Sequence, residues 1–536
     1  MKNIIKTAVM ATVAVAATSC TDLDVDVKSK MTEYPNSEIA IEAKMSDVYY
    51  AFRSALGNNY NRVQTFSSDE ATGVSYDGDY WDNGENVHPT LHNFLAEDAP
   101  ASYWTDLASG ITKCNKVMVD LGDNTSAMAP ARVMRAFYHF ILMDSYGNVP
   151  ILDHVPDENE AIERSPRKDV ALFIEKELKE SLADLSTAND ASTYGKPNKW
   201  MAEALLVKLY INWGVYTCSD VTAYDAATTK NEKLDDCVAY CDDIIKSGLF
   251  DLSDAYRKKF MYDNGSQIKD FIYAMPYDKV NATGMYYGRY RTFRKIDNGE
   301  TIGYYNGKMG KSCAGICAMN TCFADLFSLE GDDRNDAVLG GKVNIHDAIT
   351  GEDTGNPYIY KGSQLELTKT ITLKDGGLAQ LNCGATADGW RQGWRSIKFY
   401  PNPNEYSAYN RSQSNDVPIF RYADILLTKA EAILRGANAT NGDNAQSLFN
   451  QIRSYVHAPQ LDHTPSLQEL LDERGREFFD ENWRRNDMIR FGTFENEYGF
   501  HVHSNPDARF DKTCRILPIP QSVLKENTNW TQNAGY

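Results

Sequence analysis

Residues 75–88 read SYDGDYWDNGENVH, a stretch that interleaves aromatic rings with polar side chains and so is a candidate for noncovalent binding. Tyr76, Tyr80 and Trp81 supply flat apolar rings, while Asp79, Asn83 and Asn86 supply donors and acceptors. A ring of this kind lies against the C–H face of a pyranose, and the polar neighbours read its hydroxyls. The glycines and aspartates make the segment a loop, so its rings have no obvious core to enter. The alternative reading is a loop anchored by burial of its own aromatics. A second segment, GMYYGRYRTFRKIDNGETIGYYNGKMGKSC, interleaves Tyr286, Tyr287, Tyr290, Phe293, Tyr304 and Tyr305 with glycine and arginine. Rings drawn from both segments into one arc would match a curved oligosaccharide. The alternative there is a packed, β-rich lobe. Trp390 and Trp394, in DGWRQGWRS, form a third candidate pair.

Other chemistries find less support. A glycoside hydrolase needs two carboxylates flanking a cleft. Seventy-four acids make some pair inevitable, yet none stands in a recognisable catalytic motif. No HExxH, G-x-S-x-G or Walker loop occurs, and the nine histidines are dispersed. His501 and His503, in HVH, read as structural. The ten cysteines lack paired CxxC spacing, so zinc is not expected. Cys237 and Cys241 have helical i, i+4 spacing and read as buried free thiols. GDDRND, residues 331–336, is acidic enough to raise calcium but lacks a full EF-hand loop. No metal and no cofactor is expected. A net charge of −19 disfavours nucleic acid as a partner.

The amino terminus carries a different kind of chemistry. Lys2 and Lys6 precede an apolar run from Ala8 to Ala17, too short to span a bilayer. Ala17, Thr18 and Ser19 then lead to Cys20. A cysteine where an apolar leader ends has the form of a bacterial lipobox, in which Cys20 is lipidated. The other reading is an ordinary signal peptide that contains a cysteine, and Ala17 stands where lipoboxes usually have leucine. On the lipobox reading, residues 1–19 are a signal peptide and residues 20–40 a lipidated tether made acidic by Asp22, Asp24 and Asp26. No later run of 18 apolar residues exists, so the lipid would be the membrane attachment.

The elements that must position these loops are mostly helical. Met134, Phe137, Tyr138, Ile141 and Leu142 follow i, i+3, i+4, i+7, i+8 spacing, and Gly147 and Pro150 end that helix. A second helix begins near Ser165, read as its N-cap with Pro166 at the first position. A third carries Met201, Leu205, Leu209 and Trp213, and a fourth ends at Gly248. Helix pairs with short connections point to a tetratricopeptide-like stack. Residues 251–415 turn rich in Gly, Asn, Asp and Tyr, with strand-like runs DFIYAMPY and LTKTITL. Helices return after Asp416 and Pro418, read as a helix start. The expectation is a mainly α fold: a helical repeat platform from residues 41–250 and 416–536, with a loop-rich α/β lobe at 251–415. Arg484, Arg485, Asp487 and Arg490, beside Glu477 and Glu481, read as an ion-pair lattice docking the last helices.

Several of these motifs carry a specific resemblance. NDVPIFRYADILLTKAEAILRGA, ELLDERGREFFDENWRRNDMIRFGTF and the ending RILPIPQSVLKENTNWTQNAGY are similar to those of the SusD/RagB family, outer-membrane nutrient-binding lipoproteins of Bacteroidetes. ASYWTDLASGITKCNKVM and GNVPIL fit the same pattern in the same order. The resemblance implies a lipid on Cys20 and an acidic signal after it that sends the protein to the cell surface. It implies a helical platform packed as a lid on a SusC-like TonB-dependent transporter, with an oligo- or polysaccharide as ligand. GDYWDNG resembles the family's loop that carries a stacking residue. Lys311 stands before Ser312 and Cys313 where the starch-binding pattern has an aromatic, which leaves the glycan open. The alternatives are a peptide-binding nutrient lipoprotein of the same family, a lid with no ligand of its own and, last, a glycoside hydrolase.

Overall fold

The computed structural model describes residues 38–77, 86–97, 101–122, 124–291, 315–347, 350–360, 362–399, 401–500 and 505–536. Cys20 and the acidic run, Asp79, Tyr80, Trp81 and Asn83, Phe293, Tyr304 and Tyr305, and His501 and His503 lie outside the described residues. Residues 46–536 form one compact unit, which includes the irregular stretch between the helical parts.

The platform is a run of neighbouring helices. They are α1 (Glu38–Tyr49), α2 (Asn61–Phe66), α3 (Ala101–Leu121), α4 (Thr125–Tyr146), α5 (Arg167–Ser181), α6 (Lys199–Ile211) and α7 (Leu234–Lys246). After the lobe come α8 (Tyr422–Leu434), α9 (Ala445–Tyr455), α10 (Leu467–Phe478) and α11 (Arg484–Phe491). Helix α3 packs on α4, α4 on α5, α6 on α7, α7 on α8 and α8 on α9, so the stack is built from both ends of the chain. Among the described residues no helix is long and apolar enough to cross a membrane.

Local chemistry sets the helix ends. The Asn124 and Asn198 side chains accept from Ala127 N and Met201 N, at 3.1 and 3.0 Å, and cap α4 and α6. Gly147, at φ 75°, closes α4 in a conformation that a side chain would strain. Ser165 is not the cap of α5. Its backbone N–H is drawn 3.0 Å onto Val149 O in a β-bridge, and Asn148 instead accepts the Arg167 N–H at 2.9 Å. The apolar steps on α6 mark only one of its faces. Every residue from Trp200 to Ile211 is buried, because neighbours enclose the helix.

Asp416 and Pro418 do not start a helix either. Val417–Arg421 is a strand, paired antiparallel with Phe271–Met275, and α8 begins at Tyr422. The register shifts beside Pro418, where an irregular ladder tolerates a residue with no N–H to give. Asp416 accepts from Tyr277 N and the Tyr194 hydroxyl, both at 2.7 Å, and so ties lobe to platform. The DFIYAMPY run is a strand as expected. In LTKTITL only Leu367 is in a strand, and the rest is irregular. Cys237 and Cys241 are buried free thiols on α7.

Beneath the lobe lies an ion-pair lattice with almost no solvent access. Arg421 donates to Asp270 Oδ2 at 2.5 Å, Glu477 Oε1 at 2.8 Å and both Glu481 oxygens, at 2.8 and 2.9 Å. Lys259 meets Asp270 at 2.8 Å, and Lys398 meets Glu481 at 2.6 Å. Arg490 forks onto Glu431, while Arg474 spans Asp424 and Asp487. Arg484 turns away to Asp69, and Arg485 donates to Cys514 O. A lattice therefore exists but not with the pairing read from the sequence: Glu477 and Glu481 are met by Arg334, Arg421 and Lys398, while Arg484, Arg485 and Arg490 find other partners. In GDDRND, Asp332 is consumed by Arg334 at 2.7 Å, and Arg334 continues to Glu473 at 2.8 Å. Asp332 thus serves the lattice, while Asp333 meets His457 Nδ1 at 2.9 Å.

Candidate ligand-binding site

The two aromatic segments of the sequence leave the body from one place. A short strand, β1 (Ala71–Gly73), pairs antiparallel with β2 (Cys317–Met319), matching Gly73 with Cys317. The pairing continues outward: Val74 N donates to Ile316 O at 3.0 Å, and the Tyr76 hydroxyl to Gly315 O at 2.7 Å. The Tyr76 side chain, just before the first loop, thus reaches residue 315, just after the second. The far end of the first loop returns to the same ribbon. Thr90 Oγ1 accepts from Gly73 N at 3.0 Å, and a Cβ on Gly73 would lie only 2.6 Å from the Asn86 Cβ. Only glycine allows that approach.

The near end of the second loop is fixed on the same floor. Tyr290 shares an apolar cluster with Phe66, Val74, Tyr76, Ile316 and Cys317. Arg291 follows it and is buried, with Nε 2.7 Å from Asp480 Oδ1 and Nη2 2.7 Å from Asn61 Oδ1. Burial, with Asp480 and Asp69 beside it, pushes the Glu70 carboxyl well above its ordinary range. All four loop ends therefore rest on one rigid core.

A clamp sits at the lip. Asp77, at φ 59°, accepts from Lys374 Nζ, from Asn382 Nδ2 at 3.1 Å and from Ala385 N at 2.9 Å. It binds the start of the first loop to the turn at 374–385. Arg395, fully buried, donates to Gln392 O and Gly393 O at 2.7 Å and to the Tyr76 hydroxyl at 3.3 Å. It fastens the DGWRQGWRS segment to the same floor. Half-buried Tyr286, Trp390 and Phe500 pack against this cluster with part of each side chain in solvent.

Burial corrects part of the expected ring platform. Tyr76, Tyr287 and Tyr290 are at most 1 % exposed. Each is enclosed because its ring fills the cluster or its rim while its hydroxyl is used internally. The Tyr290 hydroxyl goes to Asn58 Oδ1, and that of Tyr287 receives Asn482 Nδ2 at 3.3 Å and donates to Leu56 O at 3.4 Å. These three rings are closed into the floor beside the loop ends. Asn86 is likewise buried. Trp394 is a packing ring: a Cβ on Gly340 would fall 2.2 Å from it, and Lys369 Nζ sits 4.8 Å above it. Of the described tyrosine candidates, Tyr286 keeps partial exposure.

The floor is poor ground for covalent chemistry. Burial pushes the Cys317 thiol up to about 12 and that of Cys383 to about 11, away from the reactive thiolate. No cluster of His, Cys, Asp or Glu that would hold a metal occurs among the described residues. Aromatic edges, a clamp and firmly rooted loops can hold a ligand noncovalently.

Comparison with known proteins places these features in a wider set. A family model described as "SusD family" matches residues 224–536, more than half of the chain. A second, described as "Starch-binding associating with outer membrane", matches residues 23–211. The starch-binding protein SusD of Bacteroides thetaiotaomicron is 26 % identical over 440 residues, covering 76 % of this chain and 72 % of that one. A SusD-like protein of Bacteroides ovatus is 24 % identical over 503 residues, covering 89 % and 81 %. Among solved structures, a laminarin-binding SusD-like protein superposes with TM-score 0.69 at 20 % identity, covering 93 % of this chain and all of that one. Surface glycan-binding protein A of Bacteroides thetaiotaomicron, in complex with laminarihexaose, gives TM-score 0.70 at 18 % identity, covering 92 % and 99 %. At these identities the structural likeness concerns the fold.

Proposed function

The chain belongs to the SusD family, and from that premise we propose that it is a cell-surface lipoprotein that captures a glycan and passes it to a TonB-dependent outer-membrane transporter. The observation that carries this reading is the common root of two aromatic loops. Loops 78–85 and 292–314 carry Tyr80, Trp81, Tyr304 and Tyr305 in their sequence, together with Asp79 and Asn83. Half-exposed Tyr286 and Trp390 stand at their base. Stacked rings with interspersed polar groups suit an extended sugar chain and leave it chemically unchanged. The names of the relatives mention starch and laminarin, two glucans that differ in linkage, so the class of ligand is clearer than its identity. The purified protein is expected to be retarded in a native gel containing at least one of a set of plant, host and microbial polysaccharides. It should release no new reducing ends from that polymer. Migration unaffected by every polymer would refute glycan capture, and new reducing ends would make the protein an enzyme.

The anchor is testable on its own. Cys20 is the one attachment point proposed, and several acyl chains there would hold the protein firmly, at about 0.8 kcal/mol per buried methylene. Cys20→Ala should move the protein from washed membranes into the soluble fraction. Retention of the variant in membranes of cells that lack the adjoining transporter would contradict a lipid anchor.

A further inference from the structure

Away from the loop roots, a concavity of about 510 Å³ opens among Ser46, Asp47, Tyr50, Arg53, Lys113 and Asn281. Its volume is within the range of about 300–1,000 Å³ typical of small-molecule sites. Three separate segments meet there: residues 46–53, helix α3 through Lys113, and the turn at 276–282. The Arg53 guanidinium carbon lies 5.0 Å from the centre of the Tyr50 ring. Such stacking holds a planar cation in place and keeps its donor edge open. The Arg53 carbonyl accepts the Tyr277 hydroxyl at 2.6 Å, which fixes the backbone beneath. The turn opposite is equally firm, since Asp278 Oδ1 accepts Val280 N and Asn281 N, each at 2.6 Å.

The charge balance of this concavity is unusual for the molecule. The chain carries 55 basic and 74 acidic residues. Deep arginines such as Arg421 and Arg490 are surrounded by carboxylates. Arg53 and Lys113 form no salt bridge among the described residues; Asp47 is the one carboxylate that lines the concavity with them, and half-buried Asp106 lies behind, within electrostatic reach of Lys113. Two cations against one acid, one of them stacked on an aromatic ring, make a receptor for an anion carried on a flat scaffold. Ser46 and Asn281 add neutral hydrogen-bonding groups at the rim.

We propose that this concavity is a subsite for the acidic group of a saccharide, a uronate carboxylate or a sugar sulfate, held by Arg53 and Lys113 beside the Tyr50 ring. The inference rests on the glycan-binding reading and narrows its ligand to polymers that carry negative charge. A guanidinium edge matches either anion through paired hydrogen bonds, and the lysine adds a mobile point charge.

Isothermal titration with trigalacturonate, its neutral methyl ester and inorganic sulfate tests the assignment. Trigalacturonate should bind wild type, weaken about tenfold in Arg53→Met and fall below detection in Arg53→Met/Lys113→Met. Raising NaCl to about 0.5 M should weaken it also, because exposed charges are screened. The methyl ester should be indifferent to both variants. Sulfate that displaces trigalacturonate assigns the site to sulfate esters as well, and sulfate that fails to displace it restricts the site to carboxylates. Both variants change half-exposed side chains, so unchanged melting temperatures should accompany the loss. Trigalacturonate that does not bind wild type, or binds the double variant as tightly, overturns the proposal. Retardation of both variants in gels of a neutral polysaccharide would then show that glycan capture itself still stands.

Discussion

Arg421→Met is expected to destabilise the protein by about 3–5 kcal/mol, the usual loss when one member of a buried ion cluster is removed. The side chain is 1 % exposed and its guanidinium answers three carboxylates, on Asp270, Glu477 and Glu481. Methionine fills much of the volume but leaves those acids short of a cation in a site closed to water. Lys259 and Lys398 remain, one on Asp270 and one on Glu481, and Glu477 still receives Arg334 at 3.2 Å. Neither lysine can replace a fork that spans two segments. Arg421→Lys should therefore recover little, because an ammonium cannot reproduce the paired contacts to Glu481. Urea unfolding followed by tryptophan fluorescence is the check. A methionine variant within about 1 kcal/mol of wild type would show that the lattice is close to neutral in energy, as some buried ion clusters are.

The second large effect belongs to the loops. Tyr80→Ala and Trp81→Ala should together weaken glycan binding by one to two orders of magnitude. Stacking a sugar on a ring removes about 50–80 Å² of apolar area, at about 25 cal/mol per Å², or about 1–2 kcal/mol per ring. The rings are adjacent, and neighbours in a loop often point in opposite directions. One ring is expected to carry most of the effect and the other to support the loop. Melting temperature separates the roles: a binding ring weakens affinity at little thermal cost, and a packing ring lowers stability. Tyr290→Ala belongs to the second class, since that ring is closed into the floor. A folded Tyr80→Ala/Trp81→Ala variant that binds as tightly as wild type would move the site toward Tyr286 and Trp390.

The sequence was most legible where periodicity is strong. Helix α4, with its stripe and its Gly147 stop, and α7, with its two buried thiols, could be read directly. The failures have local causes. Ser165 precedes a proline, as caps often do, but a β-bridge to Val149 claimed its backbone. Asp416 and Pro418 resemble a helix start, yet a strand 146 residues earlier captures that segment (417 − 271 = 146). Three of the ring candidates, Tyr76, Tyr287 and Tyr290, are buried for a related reason. Nothing in GMYYGRYR distinguishes a tyrosine that faces solvent from one that fills a cluster with Phe66 and Ile316. The clamp on Asp77 and the reach of Arg395 to the Tyr76 hydroxyl were also invisible, because these partners lie about three hundred residues away. Asp77 alone left a trace, as an Asp before Gly in a turn, where a positive φ is tolerated. That the two loops share one root is a tertiary fact, carried by a strand pairing between distant segments.

Hydrogen exchange with and without a bound polysaccharide tests that shared root most directly. Binding in one arc should slow exchange in residues 78–85 and 292–314 together, with the platform helices unchanged. Slowing confined to one loop, or to the helical platform alone, would contradict a site built from both.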